Sequence, residues 1–135
     1  MVLSDRLTED IRRADFDWLE RYLGTPVPDG FKEIYRSGEV FELLNVIVDE
    51  EDPELYICIN YFMPQNEVSY RSVWPGTEGR LRIACDHAGN EYHAIPGENL
   101  QNVHFFDHET GEMESLDVDI PTFIRKVRAW KDMET

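Results

Sequence analysis

The sequence predicts an α+β domain: a twisted antiparallel meander carrying two N-terminal helices and one C-terminal helix. Three observations lead there. Apolar residues recur at helical spacing over residues 4–23 and again over 28–37. From Arg80 to His108 the spacing switches to two and is interrupted by short Gly-, Asn- and Pro-containing clusters. Helical spacing then returns between Ile120 and Trp130. Helices and strands are therefore segregated along the chain, which argues against a βαβ plan. At 135 residues the chain reads as one domain over 1–135, long enough to bury a core without staples.

In the first helical stretch Leu7, Ile11, Ala14, Trp18 and Tyr22 form one stripe, with Phe16, Leu19 and Leu23 beside it. Ser4 or Thr8 caps its start and Gly24 is a natural stop. Asp15 offers a second cap that would divide the helix near Ala14. Pro26 and Pro28 prevent continuation, but Pro28 suits the first turn of a second, short helix with Phe31, Ile34 and Tyr35 on its apolar face and Gly38 at its end. Val40 to Val48 reads as one strand or two short ones. The five carboxylates Asp49, Glu50, Glu51, Asp52 and Glu54 read as an acidic turn, too crowded to be buried. Leu55 to Phe62 is a near-continuous apolar run between two prolines, the mark of a central strand. Val68, Tyr70, Val73 and Trp74 are spaced for an edge strand.

The clearest hairpin follows. Leu81, Ile83 and Cys85 alternate with Arg82 and Ala84, the segment 86–90 turns the chain with Gly89 or Asn90 at positive φ, and Glu91 to Ala94 leads it back. A turn at Pro96–Asn99 delivers a third strand with Val103 and Phe105. Residues 112–119 read as loop or edge strand. The last helix starts at Asp119 or Pro121 and carries Ile120, Phe123, Ile124, Val127 and Trp130 inward, with a basic outer face.

Charge limits the function classes. The formal net charge is −15, which opposes direct binding to nucleic acid or to an anionic membrane. Eight carboxylates and no Lys or Arg lie between Glu39 and Tyr70, and the same holds between Glu91 and Asp119. One such run is ordinarily a solvated face; two point to a surface made for a basic protein partner. No apolar run approaches the length of a membrane span, and the first residues carry no apolar leader. Cys58 and Cys85 read as buried free thiols in a reducing compartment, so the expected location is the cytoplasm.

Catalytic and metal chemistry finds no pattern to rest on. His93 and His104 fall on adjacent strands, within reach of Cys85 or Asp107, yet the paired close spacings of zinc sites are missing. There is no nucleophile elbow, and neither cysteine stands at a helix start or beside a pair of basic residues. The glycines of residues 74–79 lack the Lys and Ser/Thr of a phosphate loop, and residues 86–90 lack the alternating oxygen ligands of a calcium loop. No enzyme activity, metal or cofactor is expected. Trp18 and Trp130 sit on helix stripes and read as core; Trp74, in a loop, is either an interface anchor or a cap on the sheet.

Several of these pieces, in this order, resemble the SUKH superfamily, which includes bacterial immunity proteins and fungal cell-wall assembly regulators. They are Phe16, Trp18, Leu19 and Glu20 with Leu23-Gly24, and then Val27-Pro28-Asp29-Gly30-Phe31-Lys32-Glu33-Ile34-Tyr35. Arg82-Ile83-Ala84 with Asp86 to Asn90, Val103 to Glu109 and Ile120 to Ile124 complete the set. Ser37-Gly38 stands where the family usually has Asn-Gly, and residues 41–74 carry little of the likeness. The resemblance implies helices packed on a twisted antiparallel sheet and no shared catalytic residues. It also implies a protein that binds and neutralises a toxin, many such toxins being nucleases, or alternatively a regulatory interaction module with a non-toxin partner. The expected contacts with a basic toxin domain are Asp49, Glu50, Glu51, Asp52 and Glu54, then Glu109, Glu112, Glu114 and Asp117, with Trp74 as the candidate anchor.

Overall fold

The computed structural model describes residues 3–133; Met1, Val2, Glu134 and Thr135 lie outside that range. The elements are, in order, α1 (Asp5–Arg12), α2 (Phe16–Leu23), α3 (Asp29–Arg36), β1 (Val46–Glu51), β2 (Glu54–Ile59), β3 (Tyr61–Phe62), β4 (Leu81–Cys85), β5 (Glu91–Ala94), β6 (His104–Phe106), β7 (Met113–Ser115) and α4 (Ile120–Asp132). This is a single α+β domain with a β1–β2 hairpin and a five-stranded antiparallel meander ordered β3-β4-β5-β6-β7.

The starts of α1, α2 and α4 follow from caps visible in the sequence, whereas α3 has no side-chain cap and Pro28 stands just before it, not in its first turn. Ser4 accepts a hydrogen bond from the Leu7 N–H, and Asp119 starts α4 by accepting from Thr122. Asp15 accepts from the Trp18 N–H, so the first predicted helix is two helices, α1 and α2. Gly24 ends α2 at φ 74, a left-handed backbone that costs glycine nothing.

Three strand expectations are corrected. Residues 40–45 are not strand: Gly38, at φ 84, turns the chain into a single 3-10 turn over Glu39–Phe41, and β1 begins only at Val46. The run Leu55 to Phe62 is not one central strand. It breaks at Asn60, whose N–H donates to the Cys85 carbonyl while its own carbonyl accepts from the Asn45 N–H, so the chain passes from β1 to a new partner, β4. Residues 68–74 form a 3-10 turn at Ser69–Ser72, because the Asn66 side chain captures the Ser69 N–H and the Ser69 hydroxyl bonds the Pro64 and Asn66 carbonyls. The acidic "turn" is likewise mostly strand, with Asp49, Glu50 and Glu51 in β1 and Glu54 opening β2.

The β4–β5 hairpin stands as expected, with Gly89 taking the positive φ, and β7 forms the edge of the meander. Alternation gives the meander two faces. On one, Phe62 and Tyr92 meet Phe123 of α4, with ring centroids 6.3 and 5.3 Å apart. On the other, Arg82, Glu91 and His93 lie under the segment 63–79, which Tyr70 and Gln65 tie to β4. Cys85 is buried and Cys58 only partly so; both are free thiols.

Candidate functional site

The β1–β2 hairpin has one face in the core and one outside. Val46 and Val48 point inward with Leu55, Ile57 and Ile59, all buried. The register pairs Ile47 with Cys58, Asp49 with Tyr56 and Glu51 with Glu54, so these six residues share the outer face. Ile47 is 49% exposed and Tyr56 55%, a pair of large apolar side chains that the described residues leave about half uncovered. Apolar surface of this kind, rimmed by charge, is what interaction sites present.

Beside this face runs a groove of about 440 Å³ lined by Glu54, Leu55, Tyr56, Cys58, Asp86, Tyr92, Phe105, Glu114, Ser115, Leu116 and Asp117. It separates the hairpin from the β5–β6–β7 rim. Its walls are aromatic: Tyr92 meets Phe105 edge-on at 5.4 Å, and the Tyr92 hydroxyl accepts the Cys58 N–H at 2.8 Å, holding hairpin and meander together. Four carboxylates surround it, and no Lys, Arg or His is among the lining residues. Burial raises the Cys58 thiol pKa, with the Asp86 charge adding to it, which leaves the thiol neutral and unreactive.

The predicted contact residues distribute as follows. Glu54, Glu114 and Asp117, from the two base-free segments of the sequence, line this one groove. Asp49 and Glu51 lie on the adjoining exposed face, and Asp52 is exposed at the hairpin tip. Glu50 turns the other way: Lys126 holds its carboxylate at 2.9 and 3.2 Å and the Trp130 indole N–H at 3.0 Å. Those hydrogen bonds lower its pKa and commit it to anchoring α4. Glu109 and Glu112 sit in the β6–β7 turn, exposed but outside the groove lining. Trp74 is 38% exposed and stacks on His108 at 4.7 Å, while His108 bonds Asn90 at 2.8 Å. It therefore pins the 63–79 segment to two turns of the meander. In the sequence Asp86 and Phe105 read only as turn and strand residues, and Tyr56 only as part of an apolar run. The alternation Glu54-Tyr56-Cys58 against Leu55-Ile57-Ile59 carried the signal for Tyr56, hidden because both sets are largely apolar.

A second polar cluster is buried under the 63–79 segment. Arg82 grips Glu91 through two bonds of 2.9 and 2.6 Å and donates a third to the Ser69 carbonyl at 3.1 Å. His93 Nε2 lies 2.8 Å from Glu91 Oε1. The carboxylate can only accept, so Nε2 carries the proton and Nδ1 is left buried with no partner. Burial lowers the His93 pKa, against the pull of Glu91. Burial alone would raise Glu91, but the bonds from His93 and Arg82 overcome it and hold the carboxyl at about 2. Among the described residues no three His, Cys, Asp or Glu side chains converge on a point that would hold a metal ion. His93 and His104 are cross-strand partners, as their spacing indicated, but His104 bonds Glu98 instead.

This cluster sets a pH dependence. His93 has a folded pKa below its unfolded value of 6.5, so the unfolded chain binds more protons as pH falls past 6.5 and stability drops. Glu91, at about 2 against 4.5 unfolded, adds a further loss as pH falls from about 4.5 towards 2. Urea midpoints should therefore decline in two stages below neutrality, each pKa unit being worth about 1.4 kcal/mol. In His93→Gln the slope between pH 6.5 and 5 should flatten; an unchanged slope there would assign it to other groups.

No described helix is long and apolar enough to cross a membrane. No family model matches the chain, and neither the curated proteins nor the solved structures offer a match.

Proposed function

We propose that this chain is a non-enzymatic, cytoplasmic protein-binding domain of the SUKH type, an immunity protein that neutralises a basic toxin domain by direct contact. The observation that carries the reading is the convergence of Glu54, Glu114 and Asp117 on one aromatic-walled groove beside the exposed Ile47 and Tyr56. Sequence-distant carboxylates gathered around uncovered apolar side chains have the composition of an interface: an anchor that desolvates and a rim that steers. Among the described residues no ion pair forms with Glu54, Glu114 or Asp117. Lys126 pairs with Glu50, Arg128 with Glu39 and Arg82 with Glu91. A basic nuclease, whose own surface is shaped for phosphate, complements it. Occupying that surface would deny it to nucleic acid.

The test is co-expression with the product of the neighbouring reading frame, followed by pull-down at graded salt. The expected result is capture of a basic domain, released as salt rises. Reversing the groove charge with Glu54→Lys, Glu114→Lys and Asp117→Lys together should weaken that complex at least about tenfold and flatten its salt dependence. The same reversal at Glu109 and Glu112 should do much less. Recovery of a housekeeping assembly in place of a toxin would favour a regulatory module of the same fold.

A further inference from the structure

We infer that the groove between the β1–β2 hairpin and the β5–β7 rim receives an arginine side chain of the bound partner, with Tyr56 and Phe105 against its guanidinium plane. This deepens the protein-binding reading and rests on it. Three features select the ligand. The first is sign: Glu54, Asp86, Glu114 and Asp117 border the groove and no cationic residue lines it. Asp86 is occupied by its own turn, accepting from the Ala88 and Asn90 N–H groups and the Asn90 amide. Glu54 and Glu114, by contrast, form no ion pair among the described residues and are exposed.

The second feature is spacing. The carboxylates are spread around a groove and do not close on a point, so they do not build a cage for a compact metal ion. A broad, delocalised cation meets separated carboxylates better, because its five N–H donors fan outward. The third is the aromatic wall. Tyr56 stands 55% exposed on the lip, Phe105 is half-buried on the far side, and Tyr92 closes the floor, fixed by its bond to the Cys58 N–H. Guanidinium groups stack on such faces, and a lysine ammonium, more strongly hydrated, gains less there. Ile47, on the same face of the hairpin, offers the neighbouring apolar contact for the residue beside that arginine.

The test is a ¹H–¹⁵N NMR titration of the full chain with the capped peptide acetyl-Gly-Leu-Arg-Leu-Gly-amide. Two counterparts carry lysine or neutral citrulline in place of arginine. The expected result is shifts confined to Tyr56, Cys58, Phe105 and the 114–117 segment, weaker with lysine and lost with citrulline. Tyr56→Ala and the double variant Glu114→Gln/Asp117→Asn should each lower peptide affinity about tenfold. Their urea midpoints should hold, since all three side chains are exposed. Shifts centred on Glu109–Glu112, equal binding of the citrulline peptide, or no shifts at all would overturn the inference. Failure here with a captured basic partner whose affinity ignores Tyr56→Ala would remove the arginine seat and leave the binding reading standing. A seated arginine peptide with no basic partner in the pull-down would do the reverse.

Discussion

Glu91→Ala will cost the fold about 3–5 kcal/mol, because it takes the carboxylate away from a buried guanidinium. Arg82 is 6% exposed and Glu91 3%, and two of Arg82's three side-chain bonds end on that carboxylate. His93, fully buried, loses its side-chain hydrogen bond to Glu91 in the same stroke and keeps its stack on Phe106. Most of the cost comes from keeping an unpaired charge out of water, so the loss should far exceed what the ion pair itself contributes. The measurement is urea denaturation of Glu91→Ala, Arg82→Met and the Arg82→Met/Glu91→Met double variant. The double variant should be more stable than Glu91→Ala, since it removes both charges together. A Glu91→Ala midpoint close to that of the parent would mean that water reaches Arg82 and that the segment 63–79 is not the seal it forms in the structure.

Phe123→Ala should cost about as much, roughly 3–5 kcal/mol, for a different reason. Its ring is fully buried where α4 lies on the meander, touching Phe62 of the edge strand and Tyr92 of the centre. Removing it opens a cavity that two aromatic rings are too rigid to fill. Phe123→Leu keeps most of the volume and should lose less than about 1.5 kcal/mol. The effect should also reach the groove. Tyr92 packs on Phe123 with one part of its ring and holds the Cys58 N–H with its hydroxyl, so a loosened Tyr92 slackens the link between hairpin and meander. Denaturation gives the stability change; the amide shifts of Cys58 and Tyr92 in the Leu variant report the link. Unmoved shifts in a destabilised Phe123→Ala would confine the damage to α4.

These two residues show how differently the sequence served the core and the site. Phe123 was legible because a helix repeats its inward face every three or four residues and its neighbours Ile120, Ile124 and Val127 kept that period. The caps at Ser4, Asp15 and Asp119 were legible too, since a side chain that satisfies an N–H three residues on is a local event. The β4–β5 hairpin, with Gly89 at its turn, belongs to the same class. Strand faces were harder. Leu55 to Phe62 is apolar on both sets of alternate residues, and periodicity cannot say that Tyr56 is uncovered or that the chain changes sheets at Asn60.

By itself the sequence determined the α+β class, the central hairpin and the two carboxylate segments free of bases, and it narrowed the starts of α1 and α4 to two candidates each. All of these depend on residues close together in the chain. Only the tertiary structure decided which carboxylates share a groove. It turned Glu50 onto Lys126 and Trp130, left Glu109 and Glu112 in the β6–β7 turn outside the groove lining, and set Glu54 on one groove with Glu114 and Asp117. The physical reason is that folding brings together strands some sixty positions apart in the chain, and no local spacing records which side of the sheet each residue will face.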